Sequence, residues 1–249
     1  MLMSGFTVLE SRGTPEVGEE TLSIFLYPNE SRDRNQAKSP VRNAVKNMCD
    51  EVYNNTNVQY YEIAIYDQES NVDVEYGDAD GNIYFNNFKN WLEDQGYYDY
   101  SGVHLGVTGS TNFANAEYVA KGETAWVSGT AAFVGTAGRY SVTNNDKARW
   151  KNLAIQEPIH NMVSSEYSYV SDMTEGDEHD LGKIQSSGES TPMLTFYERS
   201  DTHPTRQHDR SGKGECGPDN TWDETHTLDL TSCSIDAIDY NAYQETANY

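Results

Sequence analysis

Gln156-Glu157-Pro158-Ile159-His160 closes an apolar run formed by Trp150, Leu153, Ala154 and Ile155. The run has helical spacing and predicts a helix over roughly 146–163. An i, i+4 separation puts the side chains of Gln156 and His160 on one face of that helix, with Glu157 beside them. Pro158 lies inside the segment, where it removes the backbone bond to the Ala154 carbonyl. A kink costing ~3 kcal/mol is expected there unless the surroundings compensate. Glu178-His179-Asp180 and Thr191-Pro192-Met193 follow downstream.

Working outward, the segment before this helix alternates strands and helices. Thr21–Tyr27 and Gln59–Asp67 are β-prone and read as strands, as does Gly102–Thr108. Ser39-Pro40 marks a helix start, with Val41, Ala44, Val45, Met48 and Val52 at helical spacing behind it. A second helix over about 83–95 buries Phe85, Phe88, Trp91 and Leu92, and Gly96 stops it. Thr124–Val127 and Thr130–Val134 add one or two strands. The fold class is α+β: a mixed sheet with flanking helices, an active-site-type helix and a loop-rich C-terminal part. Residues 1–20 read as a tail or peripheral strand, 21–163 as the first subdomain and 164–249 as the second.

The 249 residues carry 40 Asp+Glu against 17 Lys+Arg, a net charge of -23. The excess is spread along the chain, and the composition resembles that of proteins from extreme halophiles. Such a surface excludes nucleic acid and anionic membrane as partners, because both need basic patches. No apolar run is long enough to span a bilayer, and the apolar part of the N-terminus is too short for a secretory signal. Cys216 and Cys233 sit in a polar C-terminal stretch and are expected to form a disulfide, whereas Cys49 is expected as a buried thiol. The disulfide leans towards an extracellular setting or a cell or virion surface.

The order of elements, the Gln-Glu-Pro-Ile-His helix and the Glu-His-Asp and Thr-Pro-Met segments together resemble the metzincin zinc peptidases. In that family an HExxH helix follows a mixed sheet, and a methionine turn lies beneath the metal. The resemblance implies a zincin-like fold, zinc as cofactor and a peptide or protein as substrate or partner. It makes Glu157 the general base, His160 and His179 metal ligands, Met193 the methionine turn and Tyr197 a stabiliser of the oxyanion. Thr124–Val134 would be the sheet edge that pairs with an extended substrate.

This chain departs from the family pattern at three places. Gln156 stands where the first histidine belongs, and an amide oxygen is a poorer zinc ligand than imidazole. Residues 161–178 replace the short link between the second and third ligands, and Pro158 interrupts the helix. His203, His208, Asp172 and Asp177 are alternative sources of a further ligand, and spacing does not choose among them. A catalytically impaired zinc peptidase is therefore one reading, and a non-catalytic surface, structural or protein-binding protein is the other.

Asp78-Ala-Asp-Gly-Asn82 holds a fragment of a calcium loop without its closing Glu and reads as a solvated turn. The eighteen tyrosines suit half-buried sheet positions or contact surfaces. With so large an excess of one sign, self-repulsion opposes the compact state, and salt screens it as the Debye length falls from about 10 Å at 0.1 M to about 3 Å at 1 M. The thermal midpoint is thus expected to climb steadily through a salt titration over that range; a flat response would show that the surplus charge is not a destabilising term.

Overall fold

The computed structural model describes residues 4–15, 21–68, 72, 74–75, 82–110, 114–117, 130–137, 144–174, 178–194, 206–207, 222–223 and 225–247. Its centre is a mixed six-stranded sheet in the order β1-β3-β2-β4-β6-β5. The strands are β1 (Phe6–Gly13), β2 (Thr21–Pro28), β3 (Tyr60–Tyr66), β4 (Val103–Thr108), β5 (Ala114–Ala116) and β6 (Thr130–Gly135). Strands β3, β2, β4 and β6 run parallel, and the two outer strands β1 and β5 are antiparallel to their neighbours.

Period-two alternation builds two cores. Leu22, Ile24 and Leu26 of β2, Ile63 and Ile65 of β3, and Val103, Leu105 and Val107 of β4 line one face. Helices α2 (Arg42–Asn55), α4 (Asn144–His160) and α6 (Ser232–Ala247) contribute to the same apolar cluster. Phe25, Tyr27, Ala64, Tyr66 and Phe133 point to the other face, where Tyr84, Phe85, Phe88 and Leu92 of α3 (Asn82–Asp94) cover them. Parallel strands buried on both faces account for the near-continuous apolar runs in their sequences. Helix α3 stops at Gly96, whose φ of +68° suits glycine, and the Tyr97 N–H reaches back to the Leu92 carbonyl at 2.9 Å.

Several sequence expectations need correction. The helical path does not start at Ser39-Pro40. It begins at Ser31, where the Glu30 N–H donates to the Asp33 carboxylate at 3.2 Å, and continues through α1 (Arg34–Gln36). Pro40 is carried in a π-helical stretch, Ala37–Val41, whose wider turn relieves the clash of the proline ring with the preceding turn. The structured part of Thr124–Val134 is not the sheet edge: β6 is held between β4 and β5, so the short β5 is the outer strand. Thr124–Val127 lies outside the described residues.

The first twenty residues contribute β1, which pairs with β3 and has an irregular register between Val8 and Glu10. Arg42 of α2 pairs with Glu10, and Arg12 pairs with Asp50, which fastens β1 over α2. The segment after 164, expected to be loop-rich, also carries α5 (Ser168–Thr174) and the long α6. The buried residues of α6 are Cys233, Ile235, Ala237, Ile238 and Ala242 together with Ser234 and Asn241, so small and polar side chains on the inner face blur the amphipathic pattern. Among the described residues no helix is long and apolar enough to cross a membrane.

Strand β4 places His104 inside the aromatic face. Its Nδ1 accepts the Tyr27 hydroxyl at 2.7 Å, and its Nε2–H donates to the Tyr100 carbonyl at 3.0 Å. Phe25 and Tyr98 stack on the ring. Burial holds this imidazole neutral and lowers its pKa from 6.5 to about 4. Between those values the unfolded chain binds the extra proton and the folded chain does not. Stability is therefore full above pH 6.5, falls as pH drops towards 4 and levels off below it. A shift of this size is worth roughly 3 kcal/mol. His104→Asn, which keeps a polar group near Nδ1 but cannot titrate, is expected to remove that part of the acid loss in thermal unfolding; an unchanged pH profile would contradict the assignment.

Candidate functional site

Helix α4 is sealed on every side near its end. Each residue from Asn152 to His160 is buried, with Gln156, Glu157 and His160 all at 2% exposure or less. The helix packs against β5 and β6 above and against the C-terminal segments below. A helical segment buried all round has to satisfy its polar side chains from within the protein. The helix ends at His160 rather than continuing to 163. Beyond it the chain tightens, with the Asn161 N–H on the Pro158 carbonyl at 3.1 Å and the Met162 N–H on the Ile159 carbonyl at 2.8 Å. Pro158 sits in the last turn, so the ladder bond it cannot make to the Ala154 carbonyl lies two residues before the helix ends.

Asn152, Gln156 and His160 recur every four residues and form one polar stripe along α4. The segment from Glu178 to Ser190 meets that stripe. The Asn152 amide donates to the Ser190 carbonyl at 3.3 Å, and the Gln156 amide N–H donates to His179 Nε2 at 3.1 Å. His160 Nδ1–H donates to the Glu178 carboxylate at 2.7 Å. One step further along, the Asn161 amide donates to the Glu117 carbonyl at 2.6 Å, tying the end of α4 to the chain just past β5.

Adjacent residues on the 3-10 turn Glu178–Leu181 thus engage two helix positions one turn apart. The imidazoles of His160 and His179 meet edge to face with ring centroids 5.0 Å apart. The other Glu178 oxygen accepts the Ser165 N–H at 3.3 Å. His160 and Glu178 are both buried, whereas His179 is partly exposed. The donor set brought together here is two imidazoles and one carboxamide. Among the described residues no group of three or more His, Cys, Asp or Glu side chains is arranged to hold a metal ion.

Met193 lies in the turn Pro192–Leu194, fully buried and packed against α4. Gly182, just past the Glu-His-Asp turn, presses on this turn: a Cβ there would fall 2.4 Å from the Leu194 nitrogen and 2.8 Å from the Met193 carbonyl carbon. The Leu181 carbonyl accepts the Thr231 hydroxyl, together with the Ser234 hydroxyl at 3.1 Å, so the N-terminus of α6 braces the same turn.

The sequence-derived residues Gln156, His160 and His179 are brought together, with Glu157 on the same helix and Met193 in the turn packed on it. Asp172 is exposed on α5. Tyr197, His203, His208, Asp177 and Cys216 lie outside the described residues. Cys233 is disulfide-bonded and Cys49 is a buried free thiol. Sequence reasoning missed the pairing of Glu178 with His160 and the roles of Asn152 and Asn161. The signal was a polar residue at every fourth position, Asn152, Gln156 and His160, in the segment where Leu153, Ala154, Ile155 and Ile159 are apolar. Comparison with models of known protein families and with curated proteins gives no match.

Because Gly182 touches backbone rather than a movable side chain, Gly182→Ala is expected to push the two turns apart. A loss of about 1–3 kcal/mol in chemical denaturation is expected from such overpacking. Wild-type stability in that variant would show that the approach of the two turns is not required.

Proposed function

We propose that this chain is a metzincin-like protein, with a zinc peptidase centre built on Gln156, His160 and His179. The observation that carries the reading is the return of His179 to the face of α4 that holds Gln156 and His160, after an excursion over residues 161–178. A purely structural histidine would need no second imidazole beside it. The carboxylate on His160 Nδ1 also matches the way outer partners orient metal-binding imidazoles. The donor chemistry fits zinc in part: two imidazoles are good ligands, and the Gln156 amide would have to present its oxygen instead of its N–H.

Zinc, when bound, supplies an acidified water and a polarised carbonyl. Glu157, next to Gln156 on the helix, would be the group that accepts a proton from water and returns it to the leaving amine. Among the described residues β5 is the outer strand on the side that α4 packs against, and an extended peptide substrate would pair at that border. The Met193 turn supports the floor of the centre, and Tyr197 is the oxyanion donor that the family resemblance suggests.

One observation favours a second reading. The Gln156 N–H occupies the Nε2 lone pair of His179, which is the pair a metal would use. On that reading the chain is a non-catalytic, peptide- or protein-binding relative held together by hydrogen bonds. Metal analysis of protein purified in concentrated salt separates the two. The first reading expects about one zinc per chain, lost in His160→Ala, with Gln156→His raising zinc affinity. Folded protein that takes up no zinc and cleaves no peptide would overturn it and leave the second.

A further inference from the structure

We infer that Glu178 is the positioning residue of this centre, fixing His160 as its Nδ1–H tautomer so that Nε2 carries the lone pair. The metal-related half of this inference rests on the function proposed above; the tautomer half does not. A neutral imidazole has one N–H and one lone pair, and the partner of one nitrogen decides which is which. Here the partner is a carboxylate oxygen 2.7 Å from Nδ1, with both side chains almost fully buried. An ionised carboxylate only accepts, so Nδ1 must donate. This reverses the usual preference of a free imidazole for a proton on Nε2.

The carboxylate is itself held. Its second oxygen takes the Ser165 N–H at 3.3 Å, in the turn that follows α4. Glu178 is also covalently next to His179, whose Nε2 already accepts from Gln156. The same short turn therefore sets the ring of His160 directly and that of His179 through the backbone. Carboxylate–histidine pairs that orient a metal ligand typically contribute 10–100-fold in metal affinity. Glu178 does not touch the reacting atoms; it acts through His160.

The test uses ring nitrogen shifts of His160 in long-range proton–nitrogen spectra of the full chain, treated with chelator and held in concentrated salt at mildly alkaline pH. The inference expects a pyrrole-type Nδ1 and a pyridine-type Nε2. Glu178→Gln, whose amide oxygen can still accept, should keep that pattern, and Glu178→Ala should shift His160 towards the opposite tautomer. A pyridine-type Nδ1 in the unmodified chain, or an Nδ1–H tautomer that persists in Glu178→Ala, overturns the inference. Zinc titration of the same samples supplies the second readout. If the parent binds zinc, Glu178→Ala should bind it 10–100-fold more weakly and Glu178→Gln within a few-fold of the parent; equal affinity in all three overturns the positioning role. A parent that binds no zinc yet shows the Nδ1–H tautomer, lost in Glu178→Ala, supports the inference and defeats the zinc reading instead.

Discussion

Polar side chains on a helical segment buried all round govern the second half of this molecule. From Asn152 to His160 everything on α4 is buried, and an amide or imidazole left unpaired there costs about 1–3 kcal/mol. The chain after the helix has to return and supply partners. It does so in order, with Ser190 against Asn152, His179 against Gln156 and Glu178 against His160. The path of residues 161–190 is in this sense dictated by the spacing of three polar residues on α4. The bracing of the Glu-His-Asp turn by Thr231 and Ser234 then follows, because a clamp that closes on a helix needs support from behind.

That arrangement bears on what a glutamine at position 156 does. As a donor it closes the centre by itself, through a hydrogen bond to His179. As an acceptor it would leave His179 Nε2 open to a cation. The amide can serve either state by turning over, whereas an ionised carboxylate only accepts.

The first half of the fold was legible in the residues because local pattern and tertiary environment agree there. Strands β2, β3 and β4 are continuous apolar runs, and α2 and α3 bury the stripe their spacing implies. Prediction failed where local signals were weak or contradicted by packing. Ser39-Pro40 is a good start signal in isolation, but the helical path was already under way from Ser31 and absorbed the proline in a π turn. Helix α6 was missed because Cys233, Ser234, two alanines and Asn241 share its inner face with Ile235 and Ile238, which leaves little contrast between its faces. At the site, the pair at 156 and 160 was readable from spacing, and His179 only from the resemblance of Glu-His-Asp to the metzincin pattern. The link from Glu178 to His160 was not, since a contact between residues far apart in sequence is made by folding alone.

The irregular register of β1 has a bearing on association. A strand that breaks step between Val8 and Glu10 twists and cannot offer a flat, continuous row of backbone groups to another chain. Arg12 and Arg42, held in ion pairs with Asp50 and Glu10, add charge on the same side. That border of the sheet is thereby protected from edge-to-edge pairing. Among the described residues the opposite border ends in a strand only three residues long, which gives a partner strand little backbone to pair with. An antiparallel guest on β5 would run in the same direction as β6, which fixes the end from which it approaches α4.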